Sequence, residues 1–235
     1  MKIIHFSSID STNKYAKDNY QSLDNLTFIS TDYQSEGKGR GNHNWMANKG
    51  ENGLFSIFIN DPSIINQYEL LPFMVPYLIG SYIEDNYKLD VSIKWPNDIY
   101  VNNKKVCGIL LESRIPEYIV IGIGINVNQK IFNGDYAHQP SSLSLELGRD
   151  IDLSTFLDTL FDYLYRKLSS LNLFKEEAFK YVCNRNYLLN KEVSFIYNNN
   201  SMRGIVRGID DRYNLIVEVD NKLLTLNSGE VNNIK

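Results

Sequence analysis

The sequence predicts an α+β fold: a mixed β-sheet flanked by helices over residues 1–186, then a small all-β module over residues 187–235. Three observations carry this. Short apolar stretches with strand character alternate with a few longer segments of helical period. Residues 34–52 (QSEGKGRGNHNWMANKGEN) form a long glycine-rich polar stretch without any period, and long loops inside compact domains are usually functional. After Asn190 the texture changes to short alternating strands punctuated by Gly and Asn. With 235 residues, 43% of them hydrophobic and 22% charged, the chain can bury a core without disulfide or metal support.

In chain order, Ile3–Phe6 is the first strand, and Asp10, Ser11 and Thr12 are N-cap types that open a short helix over 12–20. Leu26–Asp32 and Gly53–Asn60 alternate apolar and polar residues as strands do. Tyr68–Tyr87 places Leu71, Met74, Val75, Leu78, Ile79, Tyr82 and Ile83 at helical spacing, with Pro72 and Pro76 making its start irregular. Val91–Lys94, Ile99–Val101 and Val106–Glu112 are strands, the last two joined by an Asn102-Asn103 turn, because Asn tolerates positive φ. Tyr118–Ile125 (YIVIGIGI) is a buried strand, residues 126–142 are loop, and Ser154–Leu171 and Phe174–Cys183 are helices. Strands over 192–197, 202–209, 214–219 and 222–226 make the terminal module.

Several function classes find no support. The formal charge of −4 gives no overall pull toward nucleic acid or a membrane surface. No signal peptide follows Met1-Lys2, and no apolar run is long enough to span a bilayer. Cys107 and Cys183 lie in no C-x-x-C and are expected as free thiols, in keeping with a cytoplasmic protein. His5, His43 and His138 lack metal-ligand spacing, and there is no G-x-S-x-G elbow.

Four stretches can carry chemistry. Gly37-Lys38-Gly39-Arg40-Gly41 alternates glycine with cations, so backbone N–H groups and positive charge can meet an anion, although it is neither a Walker A loop nor a Rossmann fingerprint. A flexible solvated loop would read the same way. In Lys94-Trp95-Pro96-Asn97-Asp98, Pro96 restrains Trp95, and the hairpin that follows lets Asp98 and Lys105 face one pocket. A lysine there offsets developing negative charge and an aspartate orients a polar group, whereas Lys104 reads as a solvated surface lysine. Gly122 and Gly124, alternating along a buried strand, allow close approach of a ligand or of another chain segment, with Asn126 and Asn128 at the strand end. Ser11-Thr12-Asn13 reads as a helix cap whose hydroxyls can also meet a polar ligand.

The order of these pieces is more specific than any of them. Ser11-Thr12-Asn13, Gln34 leading into Gly37-Lys38-Gly39-Arg40 and Trp45, KWPND at 94–98 with Lys105 and Gly108-Ile109-Leu110, and Gly122–Asn128 together resemble the biotin protein ligase family over nearly the whole chain. Gly204–Asp210 and Gly229-Glu230-Val231 resemble that family's SH3-like C-terminal β-barrel, and residues 1–186 its biotin/lipoate ligase catalytic domain, which is class II synthetase-like. The resemblance implies that biotin's carboxylate attacks the α-phosphate of ATP to give biotinyl-5′-AMP, with Mg²⁺ accompanying the nucleotide. A lysine of a biotin carboxyl carrier domain then takes the biotinyl group.

By the same resemblance, Lys105 contacts biotin carboxylate and phosphate, Asp98 positions the adenylation centre or the incoming lysine, and Arg40 completes the catalytic set. Ser11, Thr12 and Gln34 hydrogen-bond the ureido ring, and Lys38, Gly108, Gly122 and Gly124 line the biotin site. Gly37, Lys38, Gly39, Arg40, Trp45, Asn97 and Asn126 serve ATP, with Trp45 near the adenine. The strands around Leu110 and Ile123 supply an apolar wall for the biotin ring and tail.

Two departures stand out. The family loop G-R-G-R-x-G-R-x-W reads GKGRGNHNW here, with Lys38 and His43 in place of two arginines, so adenylation is expected to survive while retention of the adenylate loosens. The first strand begins near Ile3, which leaves no place before it for a winged-helix DNA-binding module and makes nucleic acid an unexpected partner. A homodimer through exposed sheet edges is compatible with the family. Two rival readings stay open: a lipoate or octanoate ligase of the same fold, and a non-catalytic biotin-binding or carrier-docking protein.

Overall fold

A computed structural model describes residues 1–233 except Asn42, Asp135, Ala137, Ser228 and Glu230. Asn42 of the glycine-rich loop and Glu230 of the C-terminal motif therefore lie outside the described residues. The elements in order are β1 (Lys2–Phe6), α1 (Thr12–Asp18), β2 (Thr27–Thr31), β3 (Gly53–Ile59), α2 (Pro62–Ile65), α3 (Leu71–Tyr87), β4 (Val91–Lys94), β5 (Asp98–Val101), β6 (Lys104–Arg114) and β7 (Tyr118–Ile125). They continue with α4 (Leu143–Leu147), α5 (Leu153–Leu168), α6 (Lys175–Asn184), β8 (Glu192–Tyr197), β9 (Asn200–Ile209), β10 (Leu215–Val219), β11 (Lys222–Leu226) and β12 (Val231–Asn233).

Strands β1 to β7 form one seven-stranded sheet in the order β1-β2-β3-β7-β6-β5-β4. It is mixed, because β1 runs parallel to β2 while β3, β7, β6, β5 and β4 pair antiparallel in turn. The last five strands form a second, antiparallel sheet in the order β11-β10-β9-β8-β12. The α+β architecture with a small β module is thus the one the sequence predicts.

Strand β3 departs from its predicted amphipathic character: all of it is buried. Successive side chains point to opposite faces, and here both faces are covered. Phe55, Ile57 and Ile59 pack into the large core with α3 and α5, through residues such as Leu78 and Phe161. Phe58 packs on the other face with Ala16 of α1 and with Val120. Ser56 shares that second face, and so do Gly122 and Gly124 of β7 and Gly108, Leu110 and Glu112 of β6, by register. This face is the floor of the cavity described below.

Helix α1 starts where expected, with Ser11 as its N-cap accepting from the Lys14 N–H at 3.4 Å. The irregular start before α3 is a 3₁₀ turn at Tyr68–Leu70, and Pro76 sits inside the helix without ending it. The Asn102-Asn103 turn has φ of 50° and 62°, as a tight hairpin requires. Three short elements escaped the sequence reading: α2, α4 and β12.

The C-terminal sheet is tied to the large sheet near Trp95. Trp95 is buried, and its indole Nε1 donates to the Tyr213 carbonyl at 2.8 Å while the Tyr213 hydroxyl donates to the Pro96 carbonyl at 3.1 Å. Among the described residues no helix is long and apolar enough to cross a membrane, and Cys107 and Cys183 are unbridged.

Candidate functional site

The second face of the large sheet opens into a cavity of about 630 Å³. Its floor follows from strand register. Leu54 pairs with Gly124, Gly124 with Gly108, and Gly108 with Asp98, so one row across four strands contains two residues without side chains. That leaves a trough. The ring of Trp45 lies in it: a Cβ added to Gly124 would come within 2.4 Å of the indole, and one added to Gly108 within 2.7 Å. Any larger residue at either position is excluded by that contact.

Charge concentrates at one end of the trough. The Lys105 ammonium meets Asp98 Oδ1 at 2.8 Å and stands 5.6 Å from the centre of the Trp45 ring. A one-residue irregularity between Ile99 and Tyr100 interrupts the β5–β6 register, and it separates the Asp98–Gly108 pairing from the Tyr100–Lys105 pairing. Backbone bonds fix Lys105 further: its N–H donates to the Gln139 carbonyl and its carbonyl accepts from Ser141, each at 2.9 Å. Burial, reinforced by the negative charge of Asp98, pushes the neighbouring Cys107 thiol and Tyr100 phenol far up. Both therefore stay neutral, and Cys107 is no nucleophile. Lys94 is buried at the same end beside His138. Lys104 turns away and pairs with Glu146 at 3.0 Å.

The glycine-rich loop covers this end by folding on itself. The Trp45 N–H donates to the Gly37 carbonyl and the Gly39 N–H to the His43 carbonyl, each at 2.8 Å. Gly37 is required at this crossing, since a Cβ there would meet the Trp45 carbonyl at 2.5 Å. Arg40 reaches across to Asn97 Oδ1 at 3.3 Å, and Asn97 Nδ2 in turn donates to the Ile109 carbonyl at 2.7 Å. Lys38 lines the cavity between these groups. The indole N–H of Trp45 is buried without a hydrogen-bond partner.

The other end is neutral and polar. Gln34 Oε1 accepts from the Thr12 N–H at 2.8 Å and lies 3.1 Å from the Thr12 hydroxyl. Ser11 and Thr12 are buried at the start of α1 and line the cavity with Gln34. Gly122 faces Asn13, whose Oδ1 would lie 2.4 Å from a Cβ added there. Asn126, also buried, lines the cavity and donates from Nδ2 to the Ser141 carbonyl at 2.9 Å.

Every residue given a catalytic or binding role from the sequence except Gly37 lines this one cavity, and Gly37 closes the loop above it, whereas Gly41 and Asn128 lie outside the lining. Sequence reasoning missed Ser56, Glu112 and Lys17, which support Asn13 and Thr12 from below. Ser56 carried a signal: it is the one polar residue in the GLFSIFI strand. The sequence reading also missed Phe132, Tyr136 and the C-terminal Val231 and Asn232, which complete the cavity wall. Among the described residues no three His, Cys, Asp or Glu side chains converge as a metal cage.

Comparison with known proteins fits this geometry. Residues 5–126 match the model of the biotin/lipoate A/B protein ligase family, and residues 188–232 match the biotin protein ligase C-terminal domain. The chain is 29% identical over 236 residues to the bifunctional ligase/repressor BirA of Escherichia coli, covering 95% of this chain and 71% of that protein. It is 35% identical over 133 residues to the BirA protein of Bacillus subtilis, covering 54% of this chain and 41% of that protein. Its fold matches the biotin protein ligase from Aquifex aeolicus, solved in complex with biotin and ATP, with a TM-score of 0.85 at 24% identity, over 100% of this chain and 99% of that one.

Proposed function

The chain belongs to the biotin protein ligase family, and we propose that this biotin ligase joins biotin to one lysine of a biotin carboxyl carrier domain through biotinyl-5′-AMP. The observation that carries the reading is the division of one cavity into a neutral polar end at Thr12 and Gln34 and a charged end at Lys105 and Asp98. Biotin has the same division, with a cyclic urea at one end and a carboxylate at the other.

In the first half-reaction a biotin carboxylate oxygen bonds to the α-phosphorus of ATP as the bond to pyrophosphate breaks. Two anions must meet, and Lys105 supplies the positive charge between them. Asp98 holds the Lys105 ammonium at 2.8 Å until the substrates arrive. In the second half-reaction the amine of the carrier lysine attacks the acyl carbon, AMP leaves with the bonding electron pair, and the amine loses a proton. Asp98 stands where it can orient that amine.

Ser11, Thr12 and Gln34 take the urea, while Gly108 and Gly124 make room for the Trp45 ring and Gly122 for Asn13, so that these two side chains flank the bicyclic ring. The loop with Gly37, Lys38, Gly39 and Arg40 covers the nucleotide, while Trp45, Asn97 and Asn126 line its side. The lack of a converging carboxylate cage among the described residues fits Mg²⁺ that arrives on the ATP phosphates and not as a resident ion. When bound, Mg²⁺ supplies charge neutralisation on the phosphates. Residues 1–186 form the catalytic unit in this reading and residues 187–235 the C-terminal unit.

The polar end favours biotin over lipoate, whose dithiolane has no N–H or carbonyl for Thr12 and Gln34. Incubation with ATP, Mg²⁺, biotin and a purified carrier domain tests the reading. It expects one lysine of the carrier to gain the mass of a single biotinyl group. A carrier left unmodified while lipoate is attached to its own carrier would overturn it.

A further inference from the structure

Lys104 and Lys105 are neighbours in sequence and part company in space. Lys105 lines the cavity, whereas the Lys104 ammonium meets Glu146 of α4 at 3.0 Å. The Glu146 side chain keeps 5% of its exposure and lies outside the cavity lining. Two further donors reach it. Asn102 Nδ2 of the hairpin turn donates to Oε2 at 2.7 Å, and the Ser141 hydroxyl donates to Oε1, the oxygen that also takes Lys104. Burial would push this carboxyl up, but the bonds from Ser141, Asn102 and Lys104 outweigh it and hold the group below its ordinary range. An ionised carboxylate only accepts, and all three partners donate to it.

These contacts join the two segments that flank Lys105. One is the hairpin turn with Lys104, which leads into it. The other is the strap 139–141, which runs beside it: the Lys105 N–H donates to the Gln139 carbonyl and the Ser141 N–H to the Lys105 carbonyl, each at 2.9 Å. Ser141 is held on every side, because its carbonyl accepts from Asn126 Nδ2 at 2.9 Å while its hydroxyl goes to Glu146. Pairing with β5 does not fix Lys105 by itself. The β5–β6 register shifts between Ile99 and Tyr100, next to the Tyr100–Lys105 pairing, and such an irregularity interrupts the ladder and re-aims side chains. Asn102 and Asn103 at the turn are exposed, and Glu146 ties that turn to α4 and to the strap.

We propose that Glu146 is a positioning residue: by gripping Asn102 and Lys104 on one side of Lys105 and Ser141 on the other, it fixes the direction of the Lys105 side chain and so the place of its ammonium. This rests on the proposed function, in which that ammonium stands between the two anions of the adenylation step. Glu146 lies outside the cavity and acts through Lys105. Removing its carboxylate leaves Lys105 and Asp98 unchanged as residues but frees the turn from the strap. A misplacement of about 1 Å in a reacting geometry can cost roughly a hundredfold in rate. The ring of biotin is held elsewhere, at Thr12 and Gln34, so its binding is spared.

A double-mutant cycle of Glu146→Ala with Lys105→Ala tests this, read as the single-turnover rate of adenylate formation from biotin, ATP and Mg²⁺, with biotin affinity and denaturant unfolding measured alongside. At saturating biotin, Glu146→Ala should slow adenylation by about tenfold and leave biotin affinity within about twofold of wild type. In the Lys105→Ala background the same substitution should change the rate by less than about twofold, because no ammonium is left to aim. A purely structural role would cost the same factor in both backgrounds. Glu146→Gln keeps the volume and one acceptor and should slow adenylation by about threefold, again with Lys105 present and not without it. It takes the place of Glu146→Ala if that variant does not fold. Equal losses in the two backgrounds, a folded variant with the wild-type rate, or a loss confined to biotin affinity overturns the clamp alone. Wild-type protein that forms no adenylate from biotin, or Lys105→Ala that keeps the wild-type rate, overturns the reading on which the clamp rests.

Discussion

On the proposed function, the two ends of the cavity face opposite problems. At the Thr12 end the groups are neutral, buried and held by strands and a helix cap, so each hydrogen bond is set before a ligand arrives. At the Lys105 end the groups are charged, partly exposed and held by a hairpin and a self-paired loop; the side chains of Lys105 and Asp98 keep 27% and 13% of their exposure. Recognition of a neutral ring gains from fixed dipoles in a dry site, because an unmet buried donor or acceptor is costly. Joining two anions instead needs movable positive charge with access to solvent and to a second macromolecule. The two ends should accordingly fail differently: damage at Thr12 should appear in binding, damage at Lys105 in rate.

The largest expected effect is at the charged end. A charge pair at ~4 Å in an effective dielectric of ~20 is worth about 4 kcal/mol, which lost from the transition state alone is roughly a thousandfold in rate. Lys105→Ala should therefore lower the single-turnover rate of adenylation by about that factor with little change in biotin affinity. An equal loss in affinity would mean the two ends are not separate. Next comes the brace behind this end. Trp95→Phe removes the buried bond to the Tyr213 carbonyl and should destabilise the protein by about 1–3 kcal/mol in denaturant unfolding. Its kinetic cost should fall on kcat, since Trp95 precedes Asp98 and not Thr12.

At the neutral end, Thr12→Val should weaken biotin binding by about tenfold, read by calorimetry, with kcat preserved at saturating biotin. The smallest effect is in the loop. Arg40→Ala removes a 3.3 Å contact to Asn97. It should speed release of pre-formed adenylate by severalfold in a filter-retention assay, while biotin affinity stays as in wild type. No change in release would detach Arg40 from closure of the loop.

The contrast between the ends also explains what could be read from the sequence. The charged end was legible because it is local: the Asn102-Asn103 turn folds β5 onto β6 and brings Asp98 and Lys105 together within a few residues of chain. The mixed sheet and the small β module were legible from period and texture. The support of the neutral end was not, because it is assembled over long separations, Ser56 to Asn13 across 43 positions and Asn13 to Glu112 across 99. Only the order β3-β7-β6 in the sheet places those residues on one face. Gly122 and Gly124 were recognised as sites of close approach, but what approaches them, Asn13 and Trp45, is a matter of side-chain direction that spacing does not encode. Helices α2 and α4 and strand β12 are too short to show a period.

On the proposed function, one cavity binds a cyclic urea at one end and activates its carboxylate at the other. Exchange of labelled pyrophosphate into ATP by the wild-type protein with Mg²⁺, run with biotin and separately with lipoate, tests it most directly. Exchange that requires biotin, and that lipoate neither supports nor inhibits, is the predicted result. Exchange supported by lipoate and not by biotin, or by neither acid, would contradict it.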